Sequence, residues 1–99
     1  MDTAEKEDKP TAFDISSLDI YVLLGLFLNV LNEKAWQDMG LRVKPGTDKA
    51  EKDLAKAKVA IDCVSFLVGL LDPHVDEAER RHLKGLVADL QINFVSQTG

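Results

Sequence analysis

Apolar residues recur along three stretches of this chain at the spacing of an α-helix, separated by short runs that carry Gly40, Pro45-Gly46 and Pro73. No stretch alternates apolar and polar positions for the length of a strand, and no internal repeat is present. The pattern predicts an all-α fold, a three-helix antiparallel arrangement with helices at about 17–39, 49–71 and 77–95 in a single domain over 16–96. Ser16 or Ser17 can cap the first helix and Gly40 can stop it. In the following "LRVKPGT", Pro45-Gly46 favours a tight turn, because proline presets φ and glycine accepts a positive one. Asp48 with Glu51 forms an acidic capping box ahead of the helix-favouring "KAEKDLAKAKVA". Pro73 in "DPHVD" is expected to end that helix by pushing the preceding residue out of helical geometry. Asp76 with Glu79 then repeats the capping pattern, and the short 72–75 connection makes the second and third helices antiparallel neighbours.

On a helical wheel the first helix carries more than one apolar face. Ile20, Leu24, Phe27, Leu28, Leu31 and Ala35 form a core face, and Val22, Leu26 and Val30 form a second row nearly opposite. Gly25, Asn29 and Asn32 make a narrow polar stripe between them. The second helix does the same, with Leu54, Ala57, Ile61, Val64, Val68 and Leu71 in one row and Val59, Cys63, Phe66 and Leu70 in another. The third is more conventional: Leu83, Leu86, Val87, Leu90 and Phe94 face inward, with Ala88, Ile92 and Val95 as a weaker second row. Covering the surplus rows would contribute on the order of 10 kcal/mol per chain, comparable with the whole stability of a small domain. The expected solution is a homodimer of two-fold symmetry, its interface built from Val22, Leu26, Val30, Val59, Phe66 and Leu70, with Asn29 fixing register. An unidentified protein partner is the other way to cover the same rows.

Composition narrows the function classes. A formal charge of −5 opposes loose attraction to phosphate backbones or anionic lipid, so nucleic acid is a poor first partner. Residues 1–15 open with "MDTAEKEDKPTAFD", which carries seven charges, and read as a disordered acidic tail. Only 13 uncharged residues separate Asp19 from Glu33, fewer than the roughly 20 that a membrane span needs. One cysteine forms no internal disulfide, and no apolar leader opens the chain, so the expected location is the cytoplasm.

The reactive side chains form no recognisable catalytic set, and the expectation is a protein without enzymatic activity, cofactor or metal. Cys63, between Val59 and Phe66, reads as a packed and inert thiol. His74 and His82 are eight positions apart and match none of the tight zinc-ligand spacings. Asp62 stands among apolar neighbours and calls for a cap or a cross-helix hydrogen bond. Trp36 reads as the closing edge of the core. Arg80, Arg81 and Lys84 make a candidate basic patch, to which Arg42 and Lys44 can add. It supports an alternative function, an RNA- or ribosome-associated regulator.

The segments "DLAKAKVAIDCVSFLVGLL" and "AERRHLKGLVADLQINFV", with the "AWQDMGLRVKPGT" exit of the first helix, resemble a bacterial family known as domain of unknown function 1844. The resemblance runs from about Ser17 to Val95, through Asp53-Leu54, Ala57-Lys58 and Ile61-Asp62 in the second helix and Glu79, Leu83, Leu86 and Leu90 in the third. "DPHV" departs from the Lys-Thr-rich link of many members. The resemblance implies a small helical cytoplasmic protein and brings no catalytic residue with it. The leading expectation is a non-enzymatic interaction or self-association module.

Overall fold

The computed structural model describes residues 14–98, so most of the expected acidic tail lies outside the described residues. Three helices dominate: α1 (Ile20–Asp38), α2 (Leu54–Leu71) and α3 (Glu77–Thr98). No strand occurs among the described residues, and the fold is all-α.

The starts of the helices follow local hydrogen bonding. Asp14 and Ile15, assigned to the tail by composition, belong to a 3-10 turn over Ile15–Ser17. The Asp14 carboxylate accepts from the Ser16 N–H at 3.0 Å and from its hydroxyl at 2.7 Å. Ser16 and Ser17 are thereby used up inside the turn, Leu18 is extended, and Asp19 caps α1 instead by accepting from the Tyr21 N–H at 2.9 Å. Asp76 caps α3 as its sequence position predicts, accepting from the Glu79 N–H at 2.8 Å.

α2 starts five residues later than the local propensity suggests. Met39 and Lys52 form an isolated antiparallel bridge, and the Asp53 N–H donates to the Asp38 carbonyl at 2.7 Å. The segment before Asp53 thus serves the end of α1, and Asp53, not Asp48, becomes the cap by accepting from the Lys56 N–H at 3.1 Å. At the other end, Asp72 keeps right-handed helical angles (φ −48°, ψ −48°), contrary to the expected effect of Pro73. The chain tightens into a 3-10 turn, Asp72–His74, whose early positions tolerate a proline because their N–H groups need no partner within the turn.

Gly40 ends α1 at φ +80°, with its N–H on the Gln37 carbonyl at 3.0 Å and the Leu41 N–H on the Trp36 carbonyl at 3.1 Å. Gly46 likewise has φ +83° in the Pro45-Gly46 turn, closed by the Thr47 N–H on the Lys44 carbonyl at 3.1 Å.

The core is centred on α2. Ala57, Ala60, Ile61, Val64, Val68 and Leu71 are buried, meeting Leu28, Ala35 and Met39 from one side and Leu83 and Leu90 from the other. Leu24, Leu31, Trp36, Leu67, Leu86, Val87 and Phe94 pack around this centre. α1 and α3 each lean mainly on α2 and touch each other little. Ile20 and Phe27 are therefore exposed, although the wheel puts them on the core face. A helix with one main neighbour buries a narrower stripe than a helix enclosed on two sides.

Asp38 and Gln37 are buried polar residues at the end of α1, neither evident from the pattern. Lys44 stands 3.7 Å from the Asp38 carboxylate and 3.5 Å from that of Glu51. It supplies positive charge where a buried carboxylate would otherwise be costly.

Candidate functional site

Fourteen large apolar side chains are exposed among the described residues, against eleven apolar residues in the buried core. This balance puts the chemistry of the molecule's surface, rather than a polar cleft, in first place. The exposed rows on α1 and α2 flank one groove.

The groove follows from how the two helices pack. Leu28 and Ala35 enter the core with Ala57, Ile61 and Val64, while Leu31 and Leu67 stop half-buried beside them. Leu26, Phe27 and Val30 rise on the α1 side, and Cys63 and Phe66 on the α2 side. Ile15 joins them from the 3-10 turn. The recess has a volume of about 750 Å³ and its walls are almost wholly hydrocarbon. Phe66, at 67% exposure, is the most open of the large side chains lining it, while Leu26 is 40% exposed.

Of the seven interface positions expected from the sequence, Leu26, Val30 and Phe66 line the groove. Val22, Val59 and Leu70 continue the same helical rows and are exposed, as is Asn29 beside them. Ile15, Phe27 and Cys63 also line it. The sequence reading missed Ile15 by ending the tail there, and assigned Phe27 and Cys63 to the core. Cys63 is in fact an exposed free thiol, standing on the open wall of the groove and outside the core.

Asp62 at the groove's edge is exposed, not buried. It accepts from Lys58 one turn earlier at 2.9 Å, an ion pair within α2 in place of the expected cap or cross-helix hydrogen bond. At the turn leading into α1, the two donors of Ser16 hold the Asp14 carboxyl below its ordinary range by favouring the charged form.

The basic positions divide. Arg80 is turned inward at 28% side-chain exposure, where its guanidinium donates to the Asp72 carbonyl at 3.0 and 3.3 Å and to the Val75 carbonyl at 3.1 Å. It also pairs with Asp72 at 3.1 Å and with Glu77 at 2.7 Å. Arg80 is therefore a clasp on the α2–α3 turn and not part of a free patch. Arg81 lies 3.6 Å from Glu77, and Lys84 lies 3.9 Å from Asp72. Arg42 pairs with Glu33 and sits over the Trp36 ring, its guanidinium 5.8 Å from the centroid.

The two histidines go to separate places. His74 stacks on Tyr21 with ring centroids 4.6 Å apart, and His82 lines a smaller recess of about 380 Å³ with Asn32, Trp36, Arg81 and Asp89. Among the described residues no group of three or more His, Cys, Asp or Glu side chains is placed to hold a metal ion. No helix among them is long and apolar enough to cross a membrane.

Comparison with curated proteins and with solved structures finds no match to this chain. The model of the family described as Domain of unknown function (DUF1844) matches residues 22–96, from the first turn of α1 almost to the end of α3. The match includes both walls of the groove apart from Ile15. With three-quarters of its length so matched, the chain belongs to the DUF1844 family.

Proposed function

We propose that the chain is a non-enzymatic helical module that self-associates as a two-fold homodimer through the exposed apolar rows of α1 and α2. The observation that carries this reading is the placement of Val22, Leu26, Val30, Val59, Phe66 and Leu70 outside the core, on two rows flanking one groove. With Phe27, these side chains present on the order of 700 Å² of apolar surface, beyond the roughly 300–600 Å² of the largest patch on a typical monomer. The same area is close to the roughly 800 Å² that each partner contributes to a standard stable interface.

A second copy is the natural occupant, because a two-fold interface asks one patch to complement itself, and this patch carries both a projecting ring and a recess. The helices are read as antiparallel within each copy. Asp38 meets Asp53 at one end of the α1–α2 pair and Tyr21 meets His74 beyond the other, while Ser65 and Val68 share a recess with Lys84 and Val87, and Ile61 shares another with Phe94.

The groove favours binding over catalysis, since hydrocarbon lines it and the Asp62 carboxylate at its edge is already paired with Lys58. An exposed single thiol suits a reducing compartment and supports a cytoplasmic location as part of this reading. The nucleic-acid alternative loses Arg80 to its turn, and Arg81, Lys84, Arg42 and Lys44, which it would still draw on, each stand beside a carboxylate.

Leu26→Glu tests the assignment by light scattering after size exclusion. The expected result is a helical chain of single mass; a variant that keeps the dimeric mass overturns the assignment of this face.

A further inference from the structure

We infer that the two copies meet α2 against α2, about a two-fold axis beside Cys63, so that each Phe66 ring enters the groove of the other copy. This rests on the self-association reading and adds to it the geometry of the interface.

In a two-fold interface residue i meets residue j while j meets i, only residues on the axis meet their own copies, and the axis passes through the middle of the covered patch. Along α2 the exposed row runs Val59, Cys63, Phe66, Leu70, with Cys63 and Phe66 at its middle, and both line the groove opposite Leu26 and Val30. A two-fold arrangement fills a recess with a projection from the other copy, and does so twice. Phe66 is the projection, two-thirds exposed, and it lies one helical turn from Cys63. An antiparallel crossing of the two α2 helices midway between Cys63 and Phe66 sets each Phe66 against the partner's Cys63, at the wall of the partner's recess.

Size and charge agree with that axis. Cys63 is the smallest side chain in the row, so the backbones approach closest there, whereas the corresponding row of α1 has Leu26 at its middle. Lys58 and Asp62 border the crossing as an ion pair closed within one chain at 2.9 Å. The two copies therefore bring neutral pairs to the rim, without opposing like charges.

The single cysteine makes the geometry measurable. The unmodified chain, at a concentration where sedimentation shows a dimer, is treated with a short bismaleimide that joins two thiols by addition. The comparison is Cys63→Ser combined with Ala78→Cys, which moves the thiol to an exposed site at the start of α3. Covalent dimer is expected to form at Cys63 faster by on the order of tenfold or more, because a partner thiol held nearby has a millimolar effective concentration. If both chains are dimers and link at the same rate, the axis is elsewhere and the inference falls while self-association stands. If the unmodified chain is a monomer, the inference falls together with the reading beneath it.

Discussion

Leu26 of α1 and Phe66 of α2 stand on opposite walls of one apolar groove, although forty residues of sequence separate them and neither belongs to the buried core. The core beneath them closes without either side chain, so changing them acts on whatever covers the groove. Phe66→Asp is expected to leave the helical signal in circular dichroism intact and to weaken self-association at least about 100-fold, since two large apolar contacts are lost per interface. Dilution calorimetry reads that change directly.

The turn between α2 and α3 depends on Arg80. Its guanidinium satisfies the Asp72 and Val75 carbonyls and pairs with Asp72 and Glu77. Arg80→Ala should lower the free energy of unfolding by about 1–2 kcal/mol, because carbonyls left without donors are costly. Arg81→Ala, at an exposed ion pair, should change it by less than about 0.5 kcal/mol. Urea titration of the two variants separates a clasp from a surface charge.

Gly40 has two reasons to be glycine. Its φ of +80° is strained for any side chain, and a Cβ there would lie 3.2 Å from the Cβ of Lys52. Gly40→Ala should therefore cost about 1–2 kcal/mol, seen as a lower melting temperature, and loosen the bridge between Met39 and Lys52.

Acid should act late at the turn that carries Ile15, below the pH at which an ordinary aspartate takes up its proton. The Asp14 carboxyl titrates below its ordinary value because the Ser16 hydroxyl and N–H stabilise its charged form. The associated stability is present above the ordinary pKa of 3.8 and lost as pH falls through the lower folded value. The Ser16 amide resonance should shift with that lowered midpoint. Asp14→Asn should remove the titration, and with it any response of the Ile15 methyl groups to acid.

Much of this architecture is legible in residue spacing. The buried row of α2 from Ala57 to Leu71, the core positions Leu83 and Leu90, the Asp76 cap and the Pro45-Gly46 turn all follow from local chemistry, and the structure shows each. What escaped depends on contacts distant in sequence. The bond from Asp53 to Asp38 decides where α2 starts, and propensity in "KAEKD" carries no trace of it. A wheel gives the angle between two apolar rows but not the number of neighbours a helix will have. Hence Phe27, Ile20 and Cys63, core residues on the pattern alone, stand outside a core that the limited contact between α1 and α3 leaves narrower. Arg80 looked like a surface cation because the carbonyls it serves belong to a turn that forms only when α3 folds back onto α2.

Sedimentation equilibrium of the unmodified chain over a wide concentration range bears most directly on the claim that a second copy covers the α1–α2 face. The account predicts a mass approaching twice that of the 10.9 kDa chain, falling to the single mass on dilution. A single-chain mass at every concentration, with Leu26, Val30 and Phe66 still open to solvent, would contradict it.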